Sequence, residues 1–226
     1  MFGGSPLNRL SWLRSSHSFL NAAIVSPATR WILFSAGRPL VAAHPDLPTK
    51  RVLAYLPTND VKPFLGSEPF FGQGKDEGEL VSSADKTSSL EAARHRNIPI
   101  VFLGLHELPT TSSALSSSDF IDPHAAIASL EGTPFFSVDV ADSDFGEEWI
   151  DTVLKASKLS RDGELLSWSE PRVLINSLDR FAGGVFAEAR SMVDWNQRNK
   201  ASTSLSFMTY SLMIRHEVVL SSVWFT

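Results

Sequence analysis

Six histidines and one arginine are the side chains of this 226-residue sequence whose types best suit them to chemistry. A metal site would need two of His17, His44, His95, His106, His124 and His216, or one of them and an acid, at ligand spacing on one helix face. No pair meets that spacing. His106-Glu107 closes an apolar run and faces either a pocket or an open loop. Arg172, in "WSEPRVLINS", stands just before the last helical pattern, where a cation can meet a phosphate. It is the one candidate substrate-binding residue, and an ordinary surface arginine is the competing reading.

Two loops resemble ligand cradles and fail on detail. "GQGKDEG" (72–78) has one residue too many for a dinucleotide loop and lies in a low-complexity stretch, without the preceding strand and following helix that a phosphate cradle needs. "DSDFGEEW" (142–149) lacks the third oxygen ligand and the final bidentate Glu of a calcium loop, so it reads as a helix start with acids in its first turn. There is no G-x-S-x-G elbow, no H-E-x-x-H and no P-loop. The chain has no cysteine, which removes disulfides, thiolate nucleophiles and Cys-based zinc sites. No catalytic residue and no metal ligand is assigned.

Composition narrows the partners. A net charge of −5 argues against an extended basic footprint for nucleic acid. Hydrophobic residues at 43%, with fifteen Phe and six Trp, suffice for a core that needs no staples. The most apolar late stretch is broken by Arg215, His216 and Glu217, so no membrane span is expected. The first 45 residues hold Arg9, Arg14, Arg30 and Arg38, seven Ser and no acid. That is either a transit-peptide composition or the start of a folded domain with strands near 31–34 and 39–41.

The elements follow from periodicity. "RWILFSAGRPLVAA" (30–43) is two apolar runs broken at Gly37, a β-hairpin, and "RVLAYLP" (51–57) is a third strand ended by Pro57. Residues 62–97 read as a surface insertion, partly disordered, with its polar part at 66–97. "IPIVFLGLHEL" (98–108) is a buried strand between prolines, and 109–124 is a second polar loop. "TPFFSVDVAD" (133–142) alternates as a half-buried strand does. "GEEWIDTVLKASKL" (146–159) is a helix placing Trp149, Val153 and Ala156 on one face.

A last helix is expected to start at Asn176 or Ser177 and to carry Leu178, Phe181, Val185, Ala189 and Met192 as one stripe through to Trp195. Gly183 and Gly184 inside it cost roughly 1 kcal/mol each relative to Ala and imply close packing against another backbone or a kink. Strands first and helices later, without regular βαβ alternation, give an α+β fold: β-rich, with a long late helix.

Four blocks carry a resemblance: "NRLSWLRSSHSFLNAAIVSPATRWILFSAGRPLV", "IVFLGL", "FFSVDV" and "LDRFAGGVFAEARSMVDWNQRNK". Together, and in that order over residues 2 to 200, they resemble the N-terminal region of the NADH pyrophosphatases of the Nudix hydrolase superfamily. Ala189, Arg190, Met192, Val193 and Trp195 match the family's helix. In the family that helix runs on into Phe-Cys-x-x-Cys-Gly, half of a four-cysteine zinc ribbon, and the catalytic domain follows. Here "ASTSLS" stands after Lys200, and no Arg-Glu-x-x-Glu-Glu of a Nudix box occurs anywhere.

The resemblance implies a degenerate Nudix-like domain over 1–200 that packs against a partner subunit in a homodimer. It also implies a parent activity, hydrolysis of dinucleotide pyrophosphates such as NAD(H), with removal of NAD caps from RNA in some members. Arg172 matches a basic position near the family's substrate. Mg or Mn and the structural Zn belong to the full-length family; this chain is expected to hold no cofactor, to meet NAD(H) only with the missing catalytic domain, and to be inactive alone. A noncatalytic dimerisation or binding module is the alternative. The family implies a cytoplasmic or peroxisomal address, and "WFT" is no peroxisomal signal. Residues 201–226 are expected to be an unrelated, disordered apolar tail, arising from a gene-model or splicing event or from a divergent terminus.

Overall fold

The computed structural model describes residues 6–10, 14, 16–66, 68–71, 98–107, 132–142 and 145–198. Their strands are β1 (Arg30–Ser35), β2 (Arg38–Ala43), β3 (Arg51–Leu53), β4 (Ile100–His106), β5 (Thr133–Asp139) and β6 (Leu165–Trp168). The helices are α1 (His17–Val25), α2 (Thr58–Leu65), α3 (Glu147–Lys155), α4 (Lys158–Arg161), α5 (Pro171–Ile175) and the long α6 (Arg180–Arg198). The strands form one mixed sheet in the order β3-β2-β1-β5-β4, with β6 also on β2. Only β1 and β5 run parallel; every other named pairing is antiparallel. The fold is α+β.

Alternation along the strands builds two cores. Trp31, Leu33, Leu40, Phe102, Phe136 and Val138 face α1, α2 and α3, which bring Phe19, Ile24, Val61, Phe64, Ile150 and Leu154. Ile32, Phe34, Val41, Val101, Leu103 and Phe135 face the other way, under Val185, Phe186, Ala189 and Val193 of α6. Successive strand side chains point to opposite faces, so a sheet covered on both sides needs strands apolar throughout. The run at 98–108 is such a strand, as expected.

That geometry corrects the reading of 133–142. β5 lies between β1 and β4 and is buried from Pro134 to Asp139, Ser137 included, rather than half-buried. Three further expectations change. Lys62–Leu65 is no insertion but the second half of α2, where Val61, Phe64 and Leu65 at helical spacing enter the core. Phe71 beyond it is pinned by Asn21, which donates to the Phe71 carbonyl and accepts from its N–H, both at 2.9 Å. The helix at 147–155 buries Ile150 and Leu154; Ala156 ends it, exposed, and Trp149 is 38% exposed on the flank, stacked on Phe145.

The hairpin at 30–43 is as expected. Its two-residue turn, Ala36 (φ 51°) and Gly37 (φ 73°), has both central residues left-handed, the twist that matches paired strands. Residues 17–43 form α1 and the central hairpin, so the transit-peptide reading is overturned there; Phe19, Ile24, Trp31 and Leu40 are core. The third strand is shorter than 51–57, and its continuation makes a single bridge, Leu56 to Trp31. The expected disorder at 72–97, the loop at 109–124, and the tail at 201–226 lie outside the described residues. Among the described residues no helix is long and apolar enough to cross a membrane.

Candidate functional site

The best-organised polar cluster sits where β5 ends beside the β1–β2 turn. A type of turn with two left-handed residues leaves its central N–H groups pointing outward, and here they meet a carboxylate. Ala36 N donates to Asp139 Oδ1 at 3.1 Å and Gly37 N to Oδ2 at 3.0 Å. Ala141 N, in the short 3-10 turn after β5, donates to Oδ1 at 2.9 Å. Gln197 on α6 donates its amide to Oδ2, and Arg190, two turns earlier, donates Nη1 to the Gly37 carbonyl.

Asp139 is 5% exposed. Its two oxygens receive three backbone donors and one side-chain amide, which fills the lone pairs a carboxylate has to give. A general base or a metal ligand needs a lone pair turned outward; this one has none to spare. The cluster ties the last two turns of α6 to the hairpin and to β5, and that is a structural office. A buried charge needs such partners, so an Asp within "FFSVDV" was the sequence signal for a knot, overlooked because strict alternation placed it on a wet face.

Arg172 is elsewhere. It lies exposed on α5, the five-residue helix whose Leu174 packs under β3, and among the described residues its guanidinium makes no ion pair. His106 packs at a tilt against Phe181, ring centres 4.4 Å apart, and Glu107 beside it accepts from Asn8 Nδ2 at 3.2 Å. His44 faces Asp46 at 3.5 Å on an exposed turn. His95, His124 and His216 lie outside the described residues, and among those described no three His, Asp or Glu side chains converge.

Two hydroxyls on the α6 side of the sheet lack hydrogen-bond partners among the described residues, Tyr55 Oη and Ser137 Oγ. Tyr55 packs edge-on against Phe135, and burial, with the Asp179 carboxylate nearby, pushes its phenol up to about 12. Both effects disfavour the phenolate, so Tyr55 is a poor acid–base group near neutrality.

The last helix starts later than expected. Asp179, not Asn176 or Ser177, caps α6: its Oδ1 accepts from Ala182 N at 2.8 Å. Ser177 instead donates to the carbonyls of Leu174 and Arg51. The Gly pair does permit close approach, at Gly184, where a Cβ would come within 2.9 Å of the Pro6 ring; the neighbour is a side chain rather than a backbone. No protein-family model and no curated protein matches the chain.

Proposed function

We propose that residues 6–198 form a noncatalytic domain of the kind that precedes the hydrolytic domain in NADH pyrophosphatases, and that this chain acts by pairing with a second copy rather than by turnover. The observation that carries this reading is where the four resembling blocks lie. They are α1 with the β1–β2 hairpin, β4, β5 and α6, which supply four adjacent strands of the sheet and the long helix packed on it. In the most specific block, Ala189 is fully buried and Arg190 holds the Gly37 carbonyl, so the matched residues serve docking of the helix.

Hydrolysis of a dinucleotide pyrophosphate in that family uses carboxylates on a helix to hold divalent metals that neutralise phosphate charge. The residues of this chain do not fit those metals or the ribbon zinc: the sequence has no Arg-Glu-x-x-Glu-Glu and no cysteine. Arg172, exposed on α5, is the residue that would approach a dinucleotide supplied with a separate catalytic domain. The purified chain, incubated with NADH and magnesium or manganese, is expected to release no NMNH and AMP by chromatography, and to sediment as a dimer. Steady release of both products overturns the noncatalytic reading, and a monomer at every concentration overturns the pairing.

A further inference from the structure

The first described segment, residues 6–10, lies across the sheet's end as a strap. Asn8 exchanges both backbone hydrogen bonds with Leu105 at 2.8 Å, adding one bridge to the outer edge of β4. Leu7, 4% exposed, inserts into the core beneath α6. Pro6 rests on Gly184 of α6. Arg9 Nε pairs with Glu188 Oε1 at 2.9 Å, and Asn8 Nδ2 lies 3.2 Å from both Glu107 oxygens.

The seat is shaped for this segment. Gly104 (φ +150°) has no room for a side chain: a Cβ would stand 2.6 Å from the Asn8 carbonyl oxygen and 3.0 Å from Leu7 Cβ. Gly184 has none either. Two glycines from different elements thus form the floor, an apolar socket takes one side chain, and Glu107 and Glu188 flank it to receive an amide and a guanidinium. This is the layout of strand addition, in which main-chain bonds give affinity and alternate side chains give selection.

We propose that the trough between β4 and α6 is an acceptor groove for an extended segment of the Pro-Leu-Asn-Arg kind, filled in cis by residues 6–10, and that a second copy of the chain supplies the same segment in trans. The inference rests on the paired-domain reading and gives the pair its contact. Exchange needs no new complementarity, because every contact made in cis is made again in trans. The strap buries Leu7 and Leu10, one in each core, but it meets the sheet through a single bridge of two backbone bonds, and its ion pair uses an arginine that is 59% exposed. The short tether favours cis in dilute solution, so trans pairing grows with concentration or when the cis strap cannot seat.

Two full-length variants separate strap from seat. Leu7→Asp spoils the strap and keeps the groove; Gly184→Leu fills the groove, keeps the strap and suits a helix. Sedimentation of each alone should show monomer, and the equimolar mixture should show a one-to-one complex. A labelled peptide of residues 5–11 should bind Leu7→Asp about tenfold more tightly than it binds wild type, where the cis strap competes, and should not bind Gly184→Leu. Near-UV circular dichroism checks each fold; Asn8→Pro, which removes the N–H given to Leu105, replaces Leu7→Asp if that variant unfolds. A mixture that stays monomeric with no peptide binding overturns the exchange. If both single variants dimerise as wild type does, the exchange is overturned while the paired-domain reading stands.

Discussion

Replacing Asp139 by Asn tests whether the knot at the end of β5 is structural. The change keeps the volume and turns one carboxylate oxygen into an NH2 group. Oδ1 serves Ala36 N and Ala141 N; Oδ2 serves Gly37 N and the Gln197 amide. Whichever way the new amide faces, two donors meet a donor. Each part-buried donor left unmet costs about 1 kcal/mol at the low end of the usual range, and the two surviving bonds together lose about 1 kcal/mol of charge assistance. The sum, about 3 kcal/mol, is a large part of the 5–15 kcal/mol typical of a domain. Urea unfolding followed by circular dichroism should show the midpoint fall with the slope unchanged. Asp139→Ala, which takes the acceptor from all four donors, should cost about 4 kcal/mol by the same reckoning. If Asp139→Asn stays within about 0.5 kcal/mol of wild type, the carboxylate is not holding the turn and the structural assignment of Asp139 fails.

Phe136→Ala should cost about 3–5 kcal/mol in the same assay, since the ring is fully buried between Trp31 and Phe102. Gly104→Ala should cost about 2 kcal/mol or more and raise proteolysis near residues 6–10, because the added methyl meets the Asn8 carbonyl in a left-handed conformation. Tyr55→Phe should be neutral or stabilising by about 1 kcal/mol near neutral pH, as it removes a hydroxyl without a partner. The same variant checks a pH dependence. With the folded phenol raised from 10.0 to about 12, stability from neutral Tyr55 is full below pH 10.0 and is lost as pH rises through about 12. Wild type should therefore lose midpoint over that window relative to Tyr55→Phe.

Elements that announce themselves by local pattern were legible in the sequence. The hairpin at 30–43 carries its turn glycine, and "IPIVFLGL" is too apolar and too tightly bounded to be other than a strand buried on both faces. Where long-range packing decides, local pattern misled. α2 hides between Pro57, Pro63 and Gly66, which read as punctuation, and it forms because Val61, Phe64 and Leu65 find a core built by distant strands. The stretch 136–140 alternates Phe136, Val138 and Val140 with Ser137 and Asp139, as a surface strand does, yet α6 covers the polar side of β5. The acids of "GEEW" did mark a helix start, but its buried face lies one residue along from Trp149, at Ile150. Arg172 stands before a helical pattern in the sequence, and it lies exposed on the five-residue α5.

The parallel pairing of β1 with β5 has a consequence for how the chain folds and how it can be altered. β1 and β5 are joined across residues 36–132, and the register Arg30 to Phe135 through Phe34 to Asp139 must close that whole span before either strand is buried. Folding is therefore expected to be slow, governed by a late long-range closure and not by the hairpin. A single residue inserted between Thr133 and Phe136 would turn Phe136 and Asp139 to the wrong faces of the sheet.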